Sequence, residues 1–389
     1  MSVFNSLGSN YGPTSKAYSL KSPAKSAWTM EEYLHKKYRT KKVFLTYKGR
    51  EAIALILKNL ALPNGSLVAI NGYTCYAVYQ ATVAAGLRPY YLDLPENGLN
   101  FTAPTLRHAV INEPDIKAVI VQNTLGMACD ITAIKKVCNQ NKLFLIEDLA
   151  HSIGLQHLGG QEAGTVGEAA ALSFSQDKSV DSVTGGAALF NFPVEPKVEY
   201  QPANAWHRFA TRLYPWTTRL IRSTFSLGLG RVLLKAFKLT RLLPGPMSGG
   251  ADHIHALPNW HSFVAYNGYQ MLAGLNLHRQ KIAEIYRQSL PSSVQFDHVD
   301  GSIYLRFPIR VNDPAGLISY LKQYGIYLAD RWYDAPVAPA RSLKLTNYQK
   351  GQCPVAERVA SQMVNLPTHV NINEEQARIL TEKVTQWLK

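Results

Sequence analysis

From Val43 onward, short apolar runs alternate with stretches whose apolar residues recur three or four positions apart. VFLTY at 43–47 predicts a strand, and the stretch from about Arg50 to Leu60 predicts a helix. SLVAI at 66–70 then predicts a second strand, followed by a helix from about Tyr76 to Ala85. The rhythm carries on through PYYLDL at 89–94, AVIVQN at 118–123, a helix from Ile131 to Asn139, LFLIED at 143–148, ALSFS at 171–175 and AALF at 187–190. Near-continuous apolar runs of this kind read as parallel strands covered by helices on both faces. Ligands of such sheets gather beyond the carboxyl ends of the strands, so chemistry is sought just after each run.

The pattern changes past residue 260. Val264 to Leu290 predicts one long helix, and YLRFPIRV at 304–311, a helix near Pro314 to Tyr324 and a last helix from about Glu374 to Leu388 predict a smaller α+β unit. Residues 1–40, rich in Ser, Lys and Tyr with a short helix around Met30 to Lys37, read as an arm packed on the body. The expected organisation is an arm at 1–40, a large domain at 41–270 and a small carboxy-terminal domain at 271–389, with the boundary inside the long helix. With 389 residues, 46% of them hydrophobic, the chain has core material for both units.

Charge and cysteines narrow the setting. Lys and Arg total 41 against 27 Asp and Glu, a formal charge of +14, which favours acidic partners such as phosphates, nucleotides or anionic head groups. The chain shows no zinc finger, RNP-type motif or glycine-rich RNA-binding loop, which argues against nucleic acid. Cys75, Cys129, Cys138 and Cys353 have neither metal-ligand nor disulfide-framework spacing, so a reducing compartment is expected. The amino terminus lacks signal-peptide character and no apolar run reaches the length of a spanning helix, so the reading is cytoplasmic.

Two strand ends carry the chemistry. LFLIEDLAHSIG ends a strand on Glu147 and Asp148, followed by a small-residue turn and His151. ALSFSQDKSVDSVTGGAALF places Lys178 just past the next strand, after Ser173 and Ser175. Alone, such an Asp reads as a helix cap or magnesium ligand, and such a lysine as a solvated side chain. Together they match pyridoxal 5'-phosphate (PLP), which needs a lysine amine for its aldehyde and a carboxylate to keep its ring nitrogen protonated. A phosphate site is also required. YKGREAIALIL at 47–57 offers a glycine directly before a helix whose first amides point outward, although a glycine there also serves as a simple cap.

In their order these segments resemble the DegT/DnrJ/StrS family of PLP-dependent sugar aminotransferases, over nearly the whole chain. The matching stretches are KGREAIAL at 48–55, YTCYAVYQATVAAGLRPYYLDL at 73–94, EDLAHSIG at 147–154, SFSQDK at 173–178 and PVAERVASQMVNLPTHV at 354–370. The resemblance implies a fold-type I PLP-dependent transferase: α/β, with a mostly parallel central sheet covered by helices and a smaller carboxy-terminal α+β domain. It further implies that Lys178 is the Schiff-base lysine, that Asp148 pairs the pyridine nitrogen, and that Ser173 with the amides of Arg50 and Glu51, behind Gly49, holds the phosphate. His151 stands where Gln is usual and is expected to hydrogen-bond the cofactor's phenolic oxygen. Asn259 resembles the Asn that reaches across a homodimer interface to the neighbouring cofactor, and Tyr333 a Tyr near the substrate.

Departures from the family pattern mark places to examine. Cys75, with Tyr76 next, stands where an aromatic residue covers the cofactor ring; Thr184 replaces an acidic residue before the paired glycines; and His261 replaces an Arg. The implied reaction moves an amino group from an amino acid, glutamate, to a keto-sugar linked to a nucleotide. Related sugar dehydratases carry His in place of the lysine, so Lys178 argues against them. The alternative is a non-catalytic scaffold or sensor of the same fold at a membrane surface.

One segment lies outside what the family core requires. Residues 200–250 contain arginines and lysines at helical spacing, including Arg208, Arg212, Arg219, Arg222, Arg231, Lys235, Lys238 and Arg241, and from 201 on no acidic residue. Trp206, Phe209, Leu213, Trp216, Phe225, Leu233, Leu234 and Phe237 interleave with them. The pattern fits peripheral membrane contact or a docking face, and fits better a flap packed on the dimer with its arginines toward solvent or the substrate's diphosphate.

Overall fold

The computed structural model describes residues 3–12, 15–19, 26–195, 198–328 and 331–389; parts of the predicted arm, at 1–2, 13–14 and 20–25, lie outside the described residues. The arm's helix, α1, spans Ser26–Tyr38. It buries Met30, Leu34 and Tyr38, four residues apart and therefore on one face.

The body is a seven-stranded sheet: β1 (Lys42–Thr46), β2 (Leu67–Asn71), β3 (Arg88–Leu92), β4 (Ile116–Gln122), β5 (Phe144–Asp148), β6 (Ala169–Ser173) and β7 (Gly186–Phe190), in the order β1-β7-β6-β5-β4-β2-β3. Helices α2 (Gly49–Lys58), α3 (Tyr76–Ala84), α4 (Ala103–Asn112) and α5 (Ile131–Gln140) connect the strands. All neighbours pair in parallel except at β7, which runs antiparallel to both β6 and β1. The expectation that 187–190 is a parallel strand is thus corrected. A parallel return needs a crossover, usually a helix. Residues 174–185 form turns and no helix, so the chain simply reverses.

Alternation along β6 divides the core. Ala170 and Leu172 face α1 with Met30, Leu34 and Tyr269, whereas Ala169 and Ala171 face the opposite core, which contains the apolar side of α2. The predicted helix at 264–290 is α8 (Asn259–Ser289), preceded by α6 (Ala205–Ser223) and α7 (Leu229–Leu239) in the basic segment. Near its start α8 packs Tyr266 edge-on and Tyr269 tilted against Tyr33 of α1; near its end Lys281 pairs with Glu374 at 2.6 Å. Beyond it, β8 (Arg306–Arg310) pairs antiparallel with β9 (Met363–Pro367), flanked by α9 (Pro314–Lys322), α10 (Pro354–Gln362) and α11 (Glu374–Leu388). Three of these elements, α4, α10 and β9, were not anticipated from the hydrophobic pattern.

The start of α2 sits directly on the ends of β6 and β7. A Cβ on Gly186 would lie 2.7 Å from the Leu172 carbonyl oxygen and 2.8 Å from Gly49 Cα; one on Gly49 would lie 2.7 Å from Ser173 Cβ. Because the neighbours of Gly186 are backbone, they cannot rotate aside. Gly186→Ala is therefore expected to cost about 1–3 kcal/mol through forced backbone shifts. A urea melt checks this: the midpoint falls at unchanged slope, and an unmoved midpoint rules out the close packing.

Candidate active site

A cavity of about 810 Å³ opens where the carboxyl ends of β5 and β6 meet the amino end of α2. Gly49, Arg50, Cys75, Tyr76, Asp148, Ser173, Lys178 and Tyr333 all line it; Glu51, His151 and Asn259 do not.

Asp148 is the last residue of β5. Successive strand side chains point to opposite faces, so the adjacent carboxylates have separate tasks. Glu147 accepts from the amides of Gly164, Val166 and Gly167, each at 2.8 Å, and ties down the following loop. Asp148 faces the cavity and accepts one bond, from the Ala150 amide at 2.9 Å. Burial raises its pKa, while that amide and Lys178 oppose the rise.

Lys178 lies in the turn between β6 and β7. The loop closes through Phe174 N–H to Gly185 O (2.8 Å) and Ser182 N–H to Phe174 O (2.9 Å). Asp177 and Val183 take positive φ, 62° and 72°, a costly conformation for a β-branched residue. The Asp181 carboxylate holds both, accepting from the amides of Asp177 and Val183 at 2.8 Å. The arm closes over this turn: Tyr11 donates to Asp181, Ser9 to Asp177, and Asn10 Nδ2 to the Lys178 carbonyl at 2.9 Å, while buried Arg279 of α8 donates to Asn10 at 2.9 Å. Nothing in the SNY tripeptide announces this role in the sequence.

The Lys178 amine lies 4.4 Å from the centre of the Trp332 ring, whose face also carries Arg306 at 3.9 Å. Burial pushes the ammonium down to about 8; Cys75 and Asp148 oppose that shift and Arg306 adds to it. Trp332, one residue before the expected Tyr333, is the aromatic plane that the sequence reading missed. Cys75 lines the cavity with its sulfur 3.7 Å from that of Met247, and Tyr76 stacks on Tyr79 with centroids 5.7 Å apart.

His151 stands behind Tyr333. Its Nδ1 accepts from the Leu125 amide at 3.0 Å, so in the neutral ring the proton is on Nε2, which donates to the Tyr333 hydroxyl at 3.1 Å. Burial pushes its pKa well below the ordinary value, consistent with the neutral form. Tyr333 thereby retains its own proton to donate into the cavity. The Arg50 guanidinium turns to Gln80 (2.6 Å) and to the carbonyls of Pro246 (2.9 Å) and Gly249 (2.8 Å), tying residues 246–249 across the cavity. The Glu51 amide donates to Lys48 O at 3.1 Å, and its carboxylate accepts from His255. Asn259 is the first residue of α8.

The unusual residues have local partners. Thr184 donates to the Tyr47 carbonyl at 2.6 Å, and buried His261 meets Thr211 of α6 at 3.0 Å. Tyr47 in turn meets His207 of α6 at 2.8 Å. His261 thus anchors the basic segment through Thr211.

This donor set fits PLP: a carboxylate for the ring nitrogen, a lysine amine of lowered pKa, and, for the phosphate, a glycine-led helix start packed against a serine. Fold and site together define a fold-type I PLP-dependent transferase. The sequence profile of the DegT/DnrJ/EryC1/StrS aminotransferase family matches residues 19–198 and 257–385, and the chain belongs to that family. It is 23% identical over 337 residues to the UDP-N-acetyl-3-dehydro-alpha-D-glucosamine 3-aminotransferase of Acidithiobacillus ferrooxidans, covering 86% of this chain and 81% of that protein. It is 28% identical over 143 residues to the GDP-perosamine synthase of Vibrio cholerae, covering 37% of this chain and 38% of that one. The crystal structure of S. venezuelae DesV superposes with a TM-score of 0.72 at 20% identity, covering 95% and 90% of the two chains.

The lysine makes a pH prediction. Only the free amine attacks an aldehyde, so below its pKa Lys178 is protonated and inert. The rate at which apoprotein takes up PLP is expected to rise with pH through a midpoint near 8. Asp148→Asn removes a charge that favours the ammonium and moves the midpoint lower. A wild-type midpoint at the ordinary 10.5 would show a solvated amine.

Proposed function

We propose that this aminotransferase moves the amino group of an amino acid, glutamate, to a keto-sugar carried on a nucleotide, for amino-sugar or surface-glycan biosynthesis. The observation that carries this reading is the convergence of Lys178, Asp148, Ser173 and Gly49 on one cavity. Bound PLP supplies an aldehyde that takes up amines and a protonated ring that accepts electrons from the substrate carbon. Asp148 keeps the proton on the ring nitrogen, and Ser173 with the start of α2 neutralises the phosphate. Lys178, once free, carries the proton at the substrate carbon, a task suited to an amine that burial brings down to about 8. Tyr333, oriented by His151, donates to an oxygen in the cavity.

The relatives support a nucleotide-linked acceptor: one is a UDP-sugar aminotransferase and another a GDP-perosamine synthase. The retained lysine and carboxylate count against a non-catalytic scaffold. A spectrum tests the reading. Protein mixed with PLP is expected to show a band near the visible edge that Lys178→Ala lacks and that glutamate bleaches. Absence of that band overturns the assignment.

The working unit proposed is a cytoplasmic homodimer. Asn259, which resembles the Asn that reaches a neighbouring cofactor in the family, is the first residue of α8. Among the described residues no helix is long and apolar enough to cross a membrane. The outer faces of α6 and α7 expose Trp206, Phe209, Trp216, Leu229 and Val232 among basic residues, which supports peripheral contact with anionic lipid. Flotation with anionic vesicles is expected to carry the protein upward, and Trp216→Ser with Val232→Ser to reduce this severalfold. Protein that stays at the bottom assigns the face to the dimer instead.

A further inference from the structure

A second cavity, of about 530 Å³, adjoins the first and shares Lys48, Lys238, Leu243, Gly245 and Ser248 with it. Most of its wall comes from residues 203–250, which fall in the stretch that the family profile leaves unmatched, 199–256. Its wall therefore lies mostly outside the residues that the family profile matches.

Its lining is cationic. Lys48, the residue before α2, is buried, yet its amine contacts only the Tyr47 ring, 5.6 Å from the centroid, and among the described residues makes no hydrogen bond or ion pair. Lys238, at the end of α7, and Arg241 just beyond it likewise have no side-chain partner among the described residues. The carboxylate in the wall, Glu51, is already engaged by the Tyr47 and His255 amides and by His255 Nδ1 at 3.0–3.2 Å. His207 bridges Tyr47 and Ser248, and burial pushes it down to about 4, so it adds no charge at neutral pH. With Lys48 protonated, three cations against one carboxylate leave two positive charges unmatched.

We propose that this second cavity is a diphosphate site, which receives the diphosphate joining the keto-sugar to its carrier while the sugar lies against Lys178 in the first cavity. A diphosphate diester carries two negative charges, and its oxygens suit ammonium and guanidinium donors. The shared wall gives the continuity required for one ligand to span both spaces. Burial holds the Lys48 ammonium down to about 7, and an arriving anion restores its proton. The identity of the occupant rests on the aminotransferase reading; the anion site itself does not.

Calorimetric titration of the PLP-loaded protein, whose cofactor phosphate site is filled, tests the proposal with three probes: inorganic pyrophosphate, UDP and farnesyl diphosphate. At least one is expected to bind, and Lys238→Ala with Arg241→Ala to weaken it at least about tenfold, as befits two lost charge-assisted contacts. Arg231→Ala with Lys235→Ala, on the same helix but outside both cavities, changes it less than about twofold. UDP binding tighter than pyrophosphate assigns a nucleoside carrier, and farnesyl diphosphate doing so assigns a prenyl carrier; either supports the site. No binding by any probe, or equal weakening by both variant pairs, overturns it. The visible band of the loaded protein is read in the same samples. A lost diphosphate site with the band intact is thereby distinguished from failure of the aminotransferase assignment.

Discussion

The structure turns on a reversal of chain direction between Ser173 and Gly186, held by one buried carboxylate. Asp181 accepts from two amides whose residues take left-handed φ and receives the phenol of Tyr11 from the arm. The reversal brings β7 back antiparallel beside β6 and lets β1 close the sheet on its far side. It also leaves Lys178 at the mouth of the sheet, where the adjoining parallel strand delivers Asp148. Burying a carboxylate is costly unless its oxygens are bonded, and here the bonds it requires are the ones that define the turn. Burial and neighbouring Asp177 still push Asp181 up to about 7, so the turn is held against an electrostatic cost.

Much of this was legible in the residues. Buried strands announce themselves as apolar runs, whose ends marked Asp148 and Lys178, while the family resemblance supplied Ser173. The direction of β7 was not legible, because AALF is equally apolar in either sense and only the length and turn chemistry of the preceding loop decide it. The contributions of Asn10, Tyr11 and Trp332 were hidden for a different reason. They act from distant parts of the chain, and no local periodicity reports a contact between residue 10 and residue 178. His151 shows a third limit: its residue type suggested a direct contact, whereas packing places it behind Tyr333 and fixes its tautomer through the Leu125 amide.

The basic segment shows how an addition is accommodated by an existing fold. Its outer face keeps apolar and cationic side chains in solvent, while its inner face is stitched to the body by uncharged contacts, His261 with Thr211, His207 with Tyr47 and aromatic packing around Tyr214, and by two guanidinium contacts, Arg222 with the Gly8 carbonyl and Arg50 with the carbonyls of Pro246 and Gly249. Burial pushes His261 down to about 3, so that histidine adds no charge to the seam in the physiological range. His261 is thus tied to the segment it supports.

Helix α8 is an unbroken rod of 31 residues, about 46 Å long at the usual rise, with Asn259 at one end and the Lys281–Glu374 pair toward the other. A rod of that length is a lever. Tilting it by about 5° about its far end displaces its first turn by about 4 Å, more than the length of a hydrogen bond. The carboxy-terminal part of the chain, which grips the far end of α8, therefore has mechanical purchase on Asn259, and small adjustments of β8 and β9 are magnified at the other end of the rod.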